Sequence, residues 1–166
     1  MTSAEPGEIF VVRNVANLVP PYEDDQSGFH GVSAALEFAV VDLKVENVIV
    51  LGHRQCGGIR SLFPSAQEAG SVSTEPRRFV SQWMKIAESA RLQVLQENPQ
   101  ASIEQLCRKC ELQSIKVSLE NLRTFPFIIE AIKTRDLKIL GAYFDLELGQ
   151  MFEHDDLSGE FRSLEL

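Results

Sequence analysis

The most constraining stretch of the chain is Val45–Leu51, a nearly continuous apolar run that stops at Gly52. A run of that length and composition suits a strand buried on both faces, as in a parallel sheet covered by helices. Just before it, Val32, Ala35, Leu36, Ala39, Val40 and Leu43 recur at helical spacing. A helix followed by such a strand forms the second half of a βαβ unit. Just after it comes Gly52-His53-Arg54-Gln55-Cys56-Gly57-Gly58. Functional groups of open α/β sheets gather at the carboxyl ends of strands, where this segment falls.

Other elements follow from local signals. Glu8–Arg13 reads as a strand after the Pro6-Gly7 turn. Leu18–Gln26 reads as a loop, with Asp24 and Asp25 a solvated pair. Phe63–Pro76, rich in Ser, Ala, Gly and Glu, reads as a surface loop. Phe79, Val80, Trp83, Ile86, Ala87, Ala90 and Val94 mark a second amphipathic helix that ends at Asn98-Pro99. Ser102 with Gln105 is a capping box that opens a third, running towards Arg123. Pro126 suits the first turn of a fourth. Leu137–Leu148 reads as a late strand that turns at Gly149. With no repeat or linker, residues 1–166 are expected to form a single α/β domain with a mostly parallel sheet flanked by helices.

Charge and cysteine content narrow the function. A net charge of -8 repels phosphate backbones and argues against a nucleic-acid partner. No apolar run is long enough to span a bilayer, so no membrane association is expected. The first residues lack the pattern of a secretory signal. Three cysteines, Cys56, Cys107 and Cys110, are too few for a disulfide framework and suggest a reducing, cytoplasmic setting.

His53 and Cys56 lie three residues apart, so both can turn towards one ion. An imidazole and a thiolate together favour zinc over magnesium or calcium. The same spacing also describes a buried cysteine beside a hydrogen-bonded loop histidine. The position after a buried strand, with two glycines following, favours the site. Zinc takes about four ligands, so more donors are needed. Cys107 and Cys110 share a helix face with Ile103 and Leu106, which favours core packing over metal or redox use. His30 is placed at a helix entry and His154 at the surface of an acidic tail. Arg13 and Asn14, at a strand end, either fix loop backbone by hydrogen bonding or face a ligand, and the sequence slightly favours the structural role.

Five blocks in order resemble the β-class carbonic anhydrases. They are Pro6–Asn17; Gly31–Val40; Leu51-Gly52-His53 with Cys56-Gly57-Gly58; Val117–Leu122 with Thr124-Phe125-Pro126; and Gly141–Asp145. The resemblance implies that His53 and Cys56 are zinc ligands. It also implies that Phe10, Val15, Phe38 and Gly57 line a small apolar pocket for carbon dioxide. The implied cofactor is Zn2+, and the implied reaction is reversible hydration of carbon dioxide to bicarbonate and a proton, by water made acidic on zinc. A homodimer or larger homo-oligomer is implied as well.

The family's first zinc ligand lies in a Cys-x-Asp-x-Arg motif ahead of the Pro-Gly-Glu block, on a strand inside the sheet. These 166 residues contain no such motif. The expectation is therefore an N-terminally truncated relative that lacks the motif-bearing interior strand, one zinc ligand and the Asp-Arg pair, with impaired chemistry. The alternative is a non-catalytic pseudoenzyme or oligomerisation module on the same scaffold.

Overall fold

The computed structural model describes residues 4–24, 28–63 and 77–164. The apolar run forms β1, Asn47–His53, but not as a strand buried on both faces. It ends the strand order among the described residues, and Ile49 and Leu51 are 59% and 41% exposed because only the face towards the helix Ile103–Leu122 is covered. Three later strands join it: β2 (Lys138–Asp145), β3 (Gln150–Asp155) and β4 (Glu160–Ser163), in the spatial order β1-β2-β3-β4. β1 and β2 are parallel, with Val50 opposite Gly141 and His53 opposite Phe144. The β2–β3 and β3–β4 pairs are antiparallel. The expected mostly parallel sheet is thus a mixed one. The chain between β2 and β3, and between β3 and β4, is too short for a parallel crossover and can only turn back. Gly149 and Gly159 close those turns at φ 64° and 71°, where a side chain would be strained.

The helices follow the sequence pattern closely. α1, Gly31–Glu37, runs without a break into a π-helical turn at Phe38–Asp42. The His30 carbonyl accepts the Ala34 N–H, which makes His30 the helix-entry residue expected. α2 is the short Gly57–Arg60 turn. α3 (Arg78–Met84) and α4 (Glu88–Glu97) are joined by a 3-10 turn at Lys85–Ala87. α5, Ile103–Leu122, opens on the capping box: the Gln105 N–H donates to Ser102 Oγ and the Ser102 N–H to Gln105 Oε1. Such a cap contributes about 0.5–2 kcal/mol. α6, Pro126–Arg135, starts on its proline and stops at Asp136, which is left-handed.

α5 is the central element. One side packs Cys107, Cys110 and Leu106 against Ala87, Ala90 and Val94 of the α3–α4 arm and against Ile59 of α2. The other packs Ile115, Leu119 and Leu122 against Val50, Tyr143, Phe125 and Ile128. Each such buried aliphatic or aromatic side chain contributes roughly 1.5–3 kcal/mol. The core role expected of Cys107 and Cys110 is what the structure shows.

Three expectations change. Glu8–Arg13 forms no strand: Ile9 and Val11 are 49% and 67% exposed, with no ladder partner among the described residues. β-propensity expresses fit to a paired, half-buried surface, and among the described residues no strand pairs with this segment. His154 is no surface residue. It sits on β3 with its side chain 8% exposed, against Phe161 and above Gly141. Leu137–Leu148 is followed by a hairpin, β3–β4, that the sequence reading did not anticipate. The loop expected after Phe63 lies outside the described residues, as do Asp25 and Gln26.

Candidate metal centre

His53 is the last residue of β1, and Cys56 immediately precedes α2. Between them the chain makes a tight turn that requires Gln55 to adopt φ 58°. His53 Nδ1 lies 2.8 Å from the Arg54 carbonyl oxygen. A carbonyl only accepts, so Nδ1 carries the proton and the Nε2 lone pair is left for a ligand. An outer hydrogen bond of this kind orients metal-binding histidines. Cys56 is buried, at 5% exposure.

The turn is braced from two sides. Towards β2, Arg54 Nη1 donates to Asp145 Oδ2 at 3.0 Å and Arg54 Nη2 pairs with Glu147 Oε2 at 2.7 Å. Gln55 Nε2 donates to the other oxygen of Glu147 at 2.9 Å. Asp145 is fully buried and also receives the Glu147 and Leu148 N–H groups. Burial opposes its ionisation, but the Arg54 hydrogen bond, those two N–H groups and the Arg54 charge outweigh it and hold the carboxyl below the usual carboxylate range.

Towards α5, Glu111 is 3% exposed; its Oε1 accepts the Cys56 N–H at 2.9 Å and its Oε2 accepts the Tyr143 hydroxyl at 2.9 Å. Burial pushes the Glu111 carboxyl up, against the pull of these donors, of His53 and of the Gln55 N–H. The sequence reading passed over Glu111. The available signal was a charged residue in the same helical row as the buried Cys107, Ser114 and Ser118.

The residues matched to an apolar pocket fall into two observed groupings. The Phe10 and Phe38 rings lie 5.9 Å apart. Val15 packs at Gly58, where an added Cβ would lie 2.9 Å from Val15 Cγ1 and from Ala16 Cβ. Trp83 Nε1 donates to the Val15 carbonyl at 2.8 Å, and Asn14 Nδ2 to the Leu18 carbonyl at 2.9 Å, which bears out a backbone-fixing role for Asn14. An added Cβ on Gly57 would meet nothing within 4 Å, so that position borders open space.

The donor chemistry of His53 and Cys56 fits zinc, but the donor number does not complete a zinc site. Among the described residues no group of three or more His, Cys, Asp and Glu side chains is placed to hold a metal ion. Nor, among them, is any helix long and apolar enough to cross a membrane.

An α/β fold with an imidazole and a thiol at the carboxyl end of a parallel strand defines the class. The carbonic anhydrase family profile matches residues 1–151, and the chain belongs to that family. It is 39% identical over 143 residues to beta carbonic anhydrase 3 of Arabidopsis thaliana, covering 86% of this chain and 54% of that protein. It is 41% identical over 142 residues to the mitochondrial beta carbonic anhydrase 6 of the same plant, covering 86% and 47%. The chain thus spans about half the length of these relatives. Among solved structures it superposes on the β-carbonic anhydrase CcaA with a TM-score of 0.83 at 31% identity, covering 96% of this chain and 74% of that one. A tetrameric β-carbonic anhydrase of Sordaria macrospora gives 0.71 at 27% identity, covering 90% and 69%.

Proposed function

We propose that this chain carries part of the zinc site and the apolar pocket of an enzyme that reversibly hydrates carbon dioxide to bicarbonate and a proton. The observation that carries the proposal is the braced turn: His53 leaves Nε2 open at a strand end, and Cys56 follows three residues later with its backbone held by a buried carboxylate. His53 Nε2 and Cys56 Sγ are the zinc donors of this chain. Zinc, when bound, supplies the Lewis acidity that activates water for attack on carbon dioxide.

The remaining work falls to the protein's own residues. Phe10, Phe38, Val15 and the bare Gly57 offer the neutral substrate an apolar surface, which in this chain is still open to solvent. The Asp145 and Glu147 carboxylates hold Arg54 and Gln55, and so set the direction of His53. Two protein donors are fewer than a zinc site ordinarily has, so metal binding and turnover are weakened unless a further donor comes from outside the described residues. Self-association suits the uncovered apolar residues Ile9, Val11, Ile49 and Leu51. Three cysteines without a disulfide among them suit a reducing compartment such as the cytoplasm.

The test is carbon dioxide hydration by the zinc-supplemented chain. The expected result is zinc-dependent hydration that disappears in His53→Ala and in Cys56→Ala, slower than in a relative with a complete zinc ligand set. Hydration indifferent to zinc or to both substitutions, or no hydration at all by the supplemented chain, would contradict the proposal.

A further inference from the structure

We propose that Glu111 is a positioning residue for the metal centre, holding the Gln55–Cys56 end of the ligand turn in place through the backbone. The inference rests on the assignment of His53 and Cys56 above, but its geometry is independent of any ion. The turn contains a left-handed Gln55, a conformation that a non-glycine residue adopts at a cost and keeps only when its surroundings over-determine it. Glu111 supplies that constraint. It reaches from the middle of α5 and accepts the Cys56 N–H, the group next to Gln55, at 2.9 Å.

A carboxylate is well suited to this. It has two oxygens and accepts only, so one can take the Cys56 N–H and leave the other for a separate lock. The lock is Tyr143, itself 2% exposed, whose hydroxyl donates to the second oxygen at 2.9 Å. Tyr143 lies on β2 directly opposite Gly52 of β1. The brace therefore ties the turn to α5 and, through Tyr143, to the strand beside its own. Burying a charged side chain on a helix otherwise packed with Leu106, Cys110 and Ile115 is costly, and the Cys56 N–H and the Tyr143 hydroxyl offset that cost. The action of Glu111 on the site runs through the backbone of Gln55 and Cys56.

The experiment is residue-resolved amide hydrogen exchange on the metal-free 166-residue chain, comparing the wild type with Glu111→Asp and Glu111→Gln. Asp keeps the charge but shortens the reach. Gln keeps the reach: its carboxamide oxygen can accept the backbone N–H groups while its NH2 faces the Tyr143 hydroxyl, which then accepts. Exchange at Cys56 should accelerate by about tenfold or more in Glu111→Asp, as expected for loss of a buried hydrogen bond. Amides of Ile49–Leu51 and Ile115–Leu119 should keep their protection, and Glu111→Gln should stay close to wild type. Unchanged Cys56 exchange in Glu111→Asp, or a rise shared equally by β1 and α5, would overturn the proposal.

A cobalt(II) titration read by thiolate-to-cobalt absorption tests the metal assignment separately. Cobalt binding weakened in Glu111→Asp and restored in Glu111→Gln extends the brace to the metal. No such absorption in the wild type overturns the metal assignment, while the exchange data still decide the brace. Equal cobalt affinity in the wild type and Glu111→Asp overturns the positioning role.

Discussion

Arg54 Nη1 donates to both carboxylate oxygens of Asp145, at 3.0 Å from Oδ2 and 3.4 Å from Oδ1. The pair joins the turn after β1 to the last residue of β2, so the ligand turn is set by the end of the neighbouring strand as much as by its own sequence. Arg108 of α5 approaches the same Asp145 oxygen at 3.4 Å, which brings three elements onto one buried carboxylate.

Replacing Asp145 by Ala leaves the Arg54 guanidinium and the Glu147 and Leu148 N–H groups without their acceptor. The expected loss is about 1–3 kcal/mol of stability, the cost of stranding buried donors. Asp145→Asn keeps an oxygen for the two N–H groups and forfeits the charge pairing with Arg54 and Arg108, so it should fall between Ala and wild type. Urea unfolding of the three proteins checks the order.

Gly57 and Gly58 are neighbours with opposite expectations. An alanine at 58 places a methyl 2.9 Å from both Val15 Cγ1 and Ala16 Cβ, so the segment lining the candidate pocket must move. Such overpacking costs about 1–3 kcal/mol. An alanine at 57 meets nothing within 4 Å, and stability should be close to unchanged. Any loss of hydration in Gly57→Ala then reports on the pocket and not on the fold. Thermal melts and the hydration assay on both variants separate the two effects.

Cys110 is fully buried, and burial above all, then the neighbouring Cys107 and Glu111, pushes its thiol up to about 12. Alkylating reagents should leave it unmodified in the folded chain and modify it after unfolding. The sign for stability follows. In the unfolded chain the thiol ionises in its ordinary range while the folded chain still holds the proton. Stability is therefore full below that range and declines as pH rises through it. Cys110→Ala should flatten this alkaline decline in denaturation measurements.

Asp155 behaves in the opposite sense. Its Oδ1 accepts the Leu157 N–H at 2.8 Å and the Ser158 N–H at 3.4 Å, closing the β3–β4 turn. The Leu157 hydrogen bond, helped by Ser158 and Arg162 and opposed by burial, holds its carboxyl below the ordinary value. Its contribution is therefore present above the ordinary aspartate range and is lost as pH falls through the lowered folded value. In Asp155→Asn this part of the acid limb should be missing, measured by melting temperature across an acid titration.

Much of this architecture was legible where the signal is local. The capping box at Ser102 and Gln105 and the proline that starts α6 each act within a few residues, and each formed as read. The apolar run became a strand as read, but its burial depends on what covers it, and Ile49 and Leu51 stay exposed. Glu8–Arg13 has the composition of a strand, but a strand exists only when paired, and pairing is a property of the neighbours. Gly149 before β3 and Gly159 between β3 and β4 are turn signals, yet the half-buried strands they bound are acidic enough to resemble a tail. His53 and Cys56 could be found as candidates because they sit together in sequence. Glu111, Tyr143 and Asp145, which hold that turn, come from α5 and β2, and only the fold brings them to it.

The most direct measurement is X-ray absorption on the zinc-loaded chain, alone and with His53→Ala or Cys56→Ala. The expected wild-type spectrum has one sulfur and one imidazole from this protein, with lighter oxygen donors filling the remaining positions. The sulfur should vanish in Cys56→Ala and the imidazole in His53→Ala. Zinc coordination unaltered by either substitution, or no zinc retained by the wild type, would contradict the account.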